Sequence, residues 1–364
     1  MMMSKLWLKV GIAMMCVLSA TITEANDHEK TRIEGRSMKV SSNVYLEIDN
    51  QYGNVEIESI SGDSLIIDVT IRVIGDDMED VEELMDLINV NIRETSSYVL
   101  VETLWAEDAS FFKKSLLDLT QTFGSKDLIQ VDYKIQVPRN LAIEINNRFG
   151  DVYMGDHDGP VELDLSYGDF RAHKLTHVKS MKAKYGKLKV KEMGGAARLD
   201  VKFMDSVEID EAEEVHIKST SSDIEIERVG KLHLNCTHDE IRVEEAGEVT
   251  GVISLTDLEI DELTGKLDLT TKYGELNIRN VDSDVELVNI EGAYTDFQIG
   301  FSPAFSSKYT VQITENREFS KGENVSVDDQ LIQNEFVTYY GGIGTSDSQR
   351  VSIVTRSGFV KFTR

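Results

Sequence analysis

An acidic side chain returns at nearly constant intervals through the middle of the chain: Asp151, Asp169, Asp205, Asp223, Asp257 and Asp296. Glu240 and Glu275 complete the series, and Lys187 stands in once. Carboxylates in such a column have three uses. They bond backbone amides in a turn, hold a hard cation such as calcium, or serve acid–base chemistry. Two positions before each acid stands a residue of a second series: Phe149, Tyr167, Tyr185, Phe203, Tyr273 and Tyr294, with Ser221, His238 and Leu255 in the remaining units. Between the two lies Gly150, Gly168, Gly186 or Gly274, replaced elsewhere by Met204, Ser222, Asp239, Thr256 and Thr295.

Other chemistry is sparse. Seven histidines are scattered. His173 and His177, four residues apart, would chelate a metal only on a helical loop, and no third ligand is evident beside them. His238 falls in the aromatic series and is expected as a packed core residue. No G-x-S-x-G nucleophile elbow, phosphate-cradling loop or H-E-x-x-H occurs. The glycine-rich run at 339–344 reads as a tight turn or bulge. Of the two cysteines, Cys16 lies in the leading apolar segment. Cys236 shares the parity of Leu232 and Leu234, which predicts a buried, inert thiol. No intrachain disulfide and no cysteine zinc site are therefore expected.

The elements that must position these residues follow from the period. The glycine-position residues recur every 17 or 18 residues, with one interval of 21. A fixed period near 20 residues indicates a solenoid or array. Within one unit, Leu267, Leu269 and Tyr273, then Leu276 and Ile278, fall on period-2 runs, which read as short strands with one face inward. The Gly-acid step turns one corner; Met193-Gly194, Val229-Gly230, Ala246-Gly247 and Leu263 with Gly265 mark another. Stacked coils pair in parallel about 4.8 Å apart, so nine units make a rod roughly 40 Å long. Apolar residues fall irregularly rather than every six, which favours a right-handed over a left-handed helix. The expected fold class is all-β: a right-handed parallel β-helix (β-solenoid), with a small helical insertion near the N-terminus and a β-rich C-terminal cap. The aromatic series shares the parity of Leu267 and Leu269, so it is expected to face inward as a core ladder. The alternative is an outward strip for stacking on sugars.

The remaining segments divide accordingly. Residues 1–25 read as a secretory signal peptide: Lys5 and Lys9, an apolar run from Val10 to Leu18, and Thr23-Glu24-Ala25 as cleavage site. A membrane anchor needs about 20 apolar residues, and a lipoprotein reading would hang on Cys16 after the poorly matching Ala13-Met14-Met15. Residues 26–145 form an N-terminal cap with one repeat unit at 44–73 and a helical insertion at 76–123. The insertion holds helices at 76–88 and 110–123. Residues 129–138 read as a strand leading into the array. The array spans 146–300, and capping strands occupy 301–364. The formal net charge is −27, and removing the signal makes it one unit more negative. Such a chain repels nucleic acid and anionic lipid.

The signal segment, the "VDYKIQVP" strand and the aromatic-Gly-acid repeat from Phe149 to Phe297 together resemble a bacterial family of exported, adhesin-like β-strand-repeat proteins of unknown function. Its members carry labels such as autotransporter adhesin head-like domain. The resemblance covers most of residues 40–364, with the helical insertion as a departure. It implies a β-helix in the envelope, either periplasmic or at the cell surface, and no catalytic residues. The expected function is a non-catalytic cell-envelope module of unknown ligand, with envelope proteins or glycans as partners. No cofactor is expected beyond weak calcium binding by the acid column. The alternative is a polysaccharide lyase-like enzyme, against which stands the near absence of insertions to build a cleft.

Overall fold

A computed structural model of the chain describes residues 28–106 and 128–363. The signal segment and the helix expected at 110–123 lie outside them. Among the described residues, 23 strands join into one continuous hydrogen-bonded sheet, accompanied by one helix. No helix among them is long and apolar enough to cross a membrane.

Alternation makes the strands. In Asp223–Thr237, Ile224, Ile226, Leu232, Leu234 and Cys236 are buried while Glu225, Lys231 and Asn235 are exposed. Each long strand pairs in parallel with the one a repeat later, so like residues stack. Val215, Leu232, Val249, Leu267, Val288 and Val351 follow one another across five successive pairings. All six are fully buried. Burying a side chain of this size contributes about 1.5–3 kcal/mol, and the repeat multiplies that contribution along the molecule.

Two excursions interrupt the series. After Val55–Ile60 the chain runs through Ser64–Gly75, which is antiparallel to both His28–Lys39 and Leu128–Pro138. It returns as Ala142–Arg148, parallel to Tyr45–Gln51. The helix Met78–Leu87 lies in this excursion, with Asp77 as N-cap accepting from the Glu79 amide at 2.8 Å. Val81, Leu84 and Met85 are its buried face. The Arg32 guanidinium donates to the carbonyls of Met85 and Ile88 at the helix end. The insertion is not helical throughout: Ile88–Glu94 and Tyr98–Trp105 form an antiparallel hairpin. Thr95 Oγ1 accepts from the Ser97 and Tyr98 amides and turns it. The second excursion is the antiparallel meander Ser307–Thr314, Val325–Gln333 and Phe336–Ile343. The segment expected only to cap the array then supplies one more parallel layer, because Gln349–Arg356 and Val360–Thr363 both pair with Leu287–Phe301.

The inward placement of the aromatic ladder is overturned. Tyr167, Tyr185 and Phe203 are 50, 43 and 47% exposed, and Tyr273 and Tyr294 face out as well. His238, expected in the core, is exposed too. The reason is backbone conformation. Every residue of this series has positive φ, between 53° and 63° from Phe149 to Tyr294. A left-handed residue breaks the period-2 alternation, so parity counted from Leu267 fails at the corner. The inward place falls to the next position, where Met204, Ser222, Asp239, Thr256 and Thr295 are buried. Glycine suits it where turns approach closely: a Cβ on Gly168 would lie 2.1 Å from the Gly150 carbonyl oxygen.

This geometry separates two substitutions in one turn. Leu188→Ala, at a fully buried site, should cost about 2–5 kcal/mol. Tyr185→Ala should cost only the stacking of a half-exposed ring, about 0.5–1.5 kcal/mol. Urea unfolding of both variants checks this, and equal large losses would return the ring to the core.

Candidate functional site

The rings form two stacked columns along one edge, half-buried at Tyr52 and Phe149 and exposed from Tyr167 on. Tyr52, Phe149, Tyr167, Tyr185 and Phe203 follow in order with centroid separations of 5.2, 5.0, 4.7 and 5.4 Å. The planes of these neighbours lie within 15° of parallel. Trp105 closes the first column edge-on against Tyr52 at 5.6 Å. Ser221, His238 and Leu255 then interrupt, and Tyr273 and Tyr294 stack again at 5.0 Å. The Lys272 ammonium lies 5.5 Å from the Tyr273 ring centre. Strand spacing of about 4.8 Å matches the contact distance of stacked rings, so the parallel register itself produces the column. Backbone hydrogen bonds between successive repeats hold the ring-bearing residues, as the Tyr167 N–H donating to the Lys184 carbonyl at 2.9 Å shows. Each inner ring has both faces covered by its neighbours. Arg148, Lys184 and Lys202 precede three of the five rings, with Gln51 and Ser166 before the others; Asp151, Asp169 and Asp205 follow, with Asn54 and Lys187 in the same row.

The acid column is a set of acceptors for the neighbouring turn. Asp151 Oδ1 accepts from the Asp169 amide at 2.8 Å, and Asp169 Oδ1 from the Lys187 amide at 3.0 Å. Asp257 and Asp296 do the same for the Glu275 and Phe359 amides. Asp205 and Asp223 join instead through their own amides, which donate to the carbonyls of Gly186 and Met204. Asn54 extends the pattern upstream, accepting from the Asp151 amide.

His173 and His177 do not converge. Both lie on the extended strand Phe170–Lys184, where four residues span about 13 Å. His173 meets Asp156, and His177 meets the Asp158 carbonyl. Cys236 is buried, and burial, with the nearby Asp239 charge, pushes its thiol up to about 12.

Two features escaped the sequence reading. Glu214, His216 and His233 come together on the outer wall; the one signal was that the two histidines sit one 17-residue repeat apart. Asp239 takes the glycine position and is buried. Its Oδ1 accepts from the Ser219 hydroxyl and the Ser222 amide, both at 2.8 Å, while its Oδ2 has no partner.

No known protein family matches the sequence, and no curated protein matches it either. Solved structures with some similarity carry provisional names. One, from Clostridium sporogenes, is named for cell adhesion: 10% identity, TM-score 0.19, covering 91% of this chain and 99% of that one. One from Parabacteroides distasonis is named for lipid binding: 12% identity, TM-score 0.29, covering 91% and 97%. One from Parabacteroides merdae is named an adhesin: 11% identity, TM-score 0.28, covering 92% and 97%. Similarity at this level transfers no role to this chain.

Two measurements check the corner chemistry. Asp169→Ala removes the acceptor of the Lys187 amide and should cost about 1–2 kcal/mol, whereas Asp169→Asn keeps an oxygen there and should cost less than about 0.5 kcal/mol. Urea unfolding of the pair reads the difference, and equal losses would show that charge rather than the bond matters.

Burial raises the Asp239 carboxyl above the ordinary carboxylate range. The folded chain therefore holds a proton that the unfolded chain releases, and Asp239 lowers stability as pH rises through that interval. The stability of wild type minus that of Asp239→Asn should fall with pH there and level off above it. Unfolding free energies of both proteins across the acid range test this; a constant difference would remove Asp239 from the pH dependence.

Proposed function

We propose that the chain is an exported, non-catalytic, adhesin-like binding module of a bacterial cell envelope, built as a right-handed parallel β-helix. On this reading the edge from Tyr52 to Phe203 is its ligand-contact strip. The coil reading is supported by parallel register at intervals of one repeat through most of the chain. The ligand reading rests on one observation: five rings stack in a continuous column whose last three members, Tyr167, Tyr185 and Phe203, are exposed. Ser221 and His238 occupy the same corner with φ of 55° and 63°. A polar residue thus makes the turn equally well, and a left-handed conformation costs any non-glycine residue about 1–2 kcal/mol. Contiguous exposed apolar surface of this kind marks interaction sites.

The geometry narrows the ligand class. Inner ring faces are occupied, so a ligand lies along the edges and hydroxyls rather than inserting flat between rings. An extended polymer running parallel to the column, with hydroxyls for the tyrosines, fits this surface, and a glycan of the envelope is such a polymer. The basic row of Arg148, Lys184 and Lys202 favours one carrying acidic groups. Any calcium taken by the acid column would use the carboxylate oxygens left over from the inter-turn bonds.

Binding of the full chain to an array of neutral and acidic glycans tests the reading. Tyr167→Ser with Tyr185→Ser keeps the corner chemistry of Ser221 and should lower glycan binding at least about tenfold, or roughly 1.4 kcal/mol. Lys191→Ala, exposed on another part of the wall, should leave binding unchanged. Undiminished binding by the double variant would reject the strip, and retention of proteins but no glycans would replace the ligand class.

A further inference from the structure

A different wall of the molecule carries three side chains of metal-binding type at one point. Glu214 and His216 lie two residues apart on Ser206–Thr220 and share its outward face, while Val215 and Ile217 between and beside them are buried. His233, on Asp223–Thr237, is paired directly opposite His216 in the parallel register. Glu214 Oε1 lies 2.7 Å from His216 Nε2 and 3.9 Å from His233 Nε2. All three ligand atoms fall within 4.8 Å of one another. The two imidazoles stack at 4.2 Å with 20° between planes.

The next turn orients the second histidine. His233 Nδ1 lies 2.6 Å from Thr250 Oγ1. A proton on Nδ1 donated to that hydroxyl leaves Nε2 with its lone pair on the Glu214 side. A hydrogen bond to the far ring nitrogen is the usual support of a metal-bound histidine. The three residues are half-buried, and the histidines border an open groove of about 380 Å³. Arg198 stands next to His216 in register, and Lys231 next to Glu214. These two cations weaken any ion bound there, against the −27 charge of the whole chain that attracts it.

We propose that Glu214, His216 and His233 form a three-ligand site for a divalent transition cation of the zinc and copper class, with a further coordination position open to water. Two imidazoles and one carboxylate suit such ions, whereas calcium takes oxygen ligands throughout. Donors on a tetrahedral zinc ion lie about 2.0–2.2 Å from the metal and so roughly 3.3 Å apart. The observed separations of 2.7 and 3.9 Å bracket that value, and binding one ion requires the two stacked rings to tilt so that their Nε2 lone pairs converge. The site is remote in kind from the aromatic edge and does not rest on the binding role proposed for it.

Titration calorimetry with zinc chloride, and visible absorption with cobalt chloride, test the proposal on the full chain. Wild type should bind one zinc ion and give the absorption bands of tetrahedral cobalt. His216→Gln with His233→Asn should abolish both signals while circular dichroism stays unchanged. Thr250→Val should weaken zinc about tenfold, the loss typical of an outer-shell partner. Unaltered zinc affinity in the double-histidine variant would overturn the proposal. So would absence of zinc binding by wild type, or equal binding of calcium by the same site.

Discussion

Backbone pairing between strands one repeat apart is the constraint on which the rest of the molecule depends. Parallel pairing along Lys187–Lys202, Ser206–Thr220, Asp223–Thr237 and Glu240–Ser254 locks each strand to the one a repeat later. Register in a sheet with one buried face is strongly specified, because a slip by one residue would expose every inward side chain. The column from Val215 to Val351 expresses that specification. It leaves the two ends as open edges, and edges invite pairing with other chains. Leu128–Pro138 and Tyr98–Trp105 cover the first turn, and the meander after Ser307 lies against the last.

One corner pays for this regularity with strained backbone. The left-handed residue from Phe149 to Tyr294 faces water, and the residue after it enters the core. A small residue is favoured there, since carbonyls of the preceding turn lie where a Cβ would stand. Met204 and Asp239 are larger exceptions, and Asp239 reveals the cost. It satisfies one oxygen through Ser219 and Ser222 and leaves the other without a partner.

Stacking identical positions also turns single side chains into arrays. A lone surface tyrosine contributes little recognition; five rings at contact distance make a continuous strip. A lone aspartate bonds its own turn; Asp151 and Asp169 bond the turn that follows. A lone histidine is a surface base; His216 and His233, one repeat apart, face each other. Side-chain arrays on this face are thus consequences of the period acting on ordinary residues.

The linear order of residues determined the repeat, its strands, the helix start at Asp77 with Glu79 and Asp80, and the burial of Cys236. Each of these depends on local periodicity or on a neighbour a few residues away. Residues 88–105, inside the expected helical insertion, are a hairpin instead, because "INVNIRE" and "YVLVETLW" become strands only once they pair with each other. Which way the tyrosines face was decided by tertiary structure alone. Parity along "LDLTTKYG" points Tyr273 inward, and a single positive φ at the corner reverses it. The meeting of Glu214, His216 and His233 was likewise settled by register, since residues in adjacent turns become neighbours only when the sheet sets which atoms lie opposite.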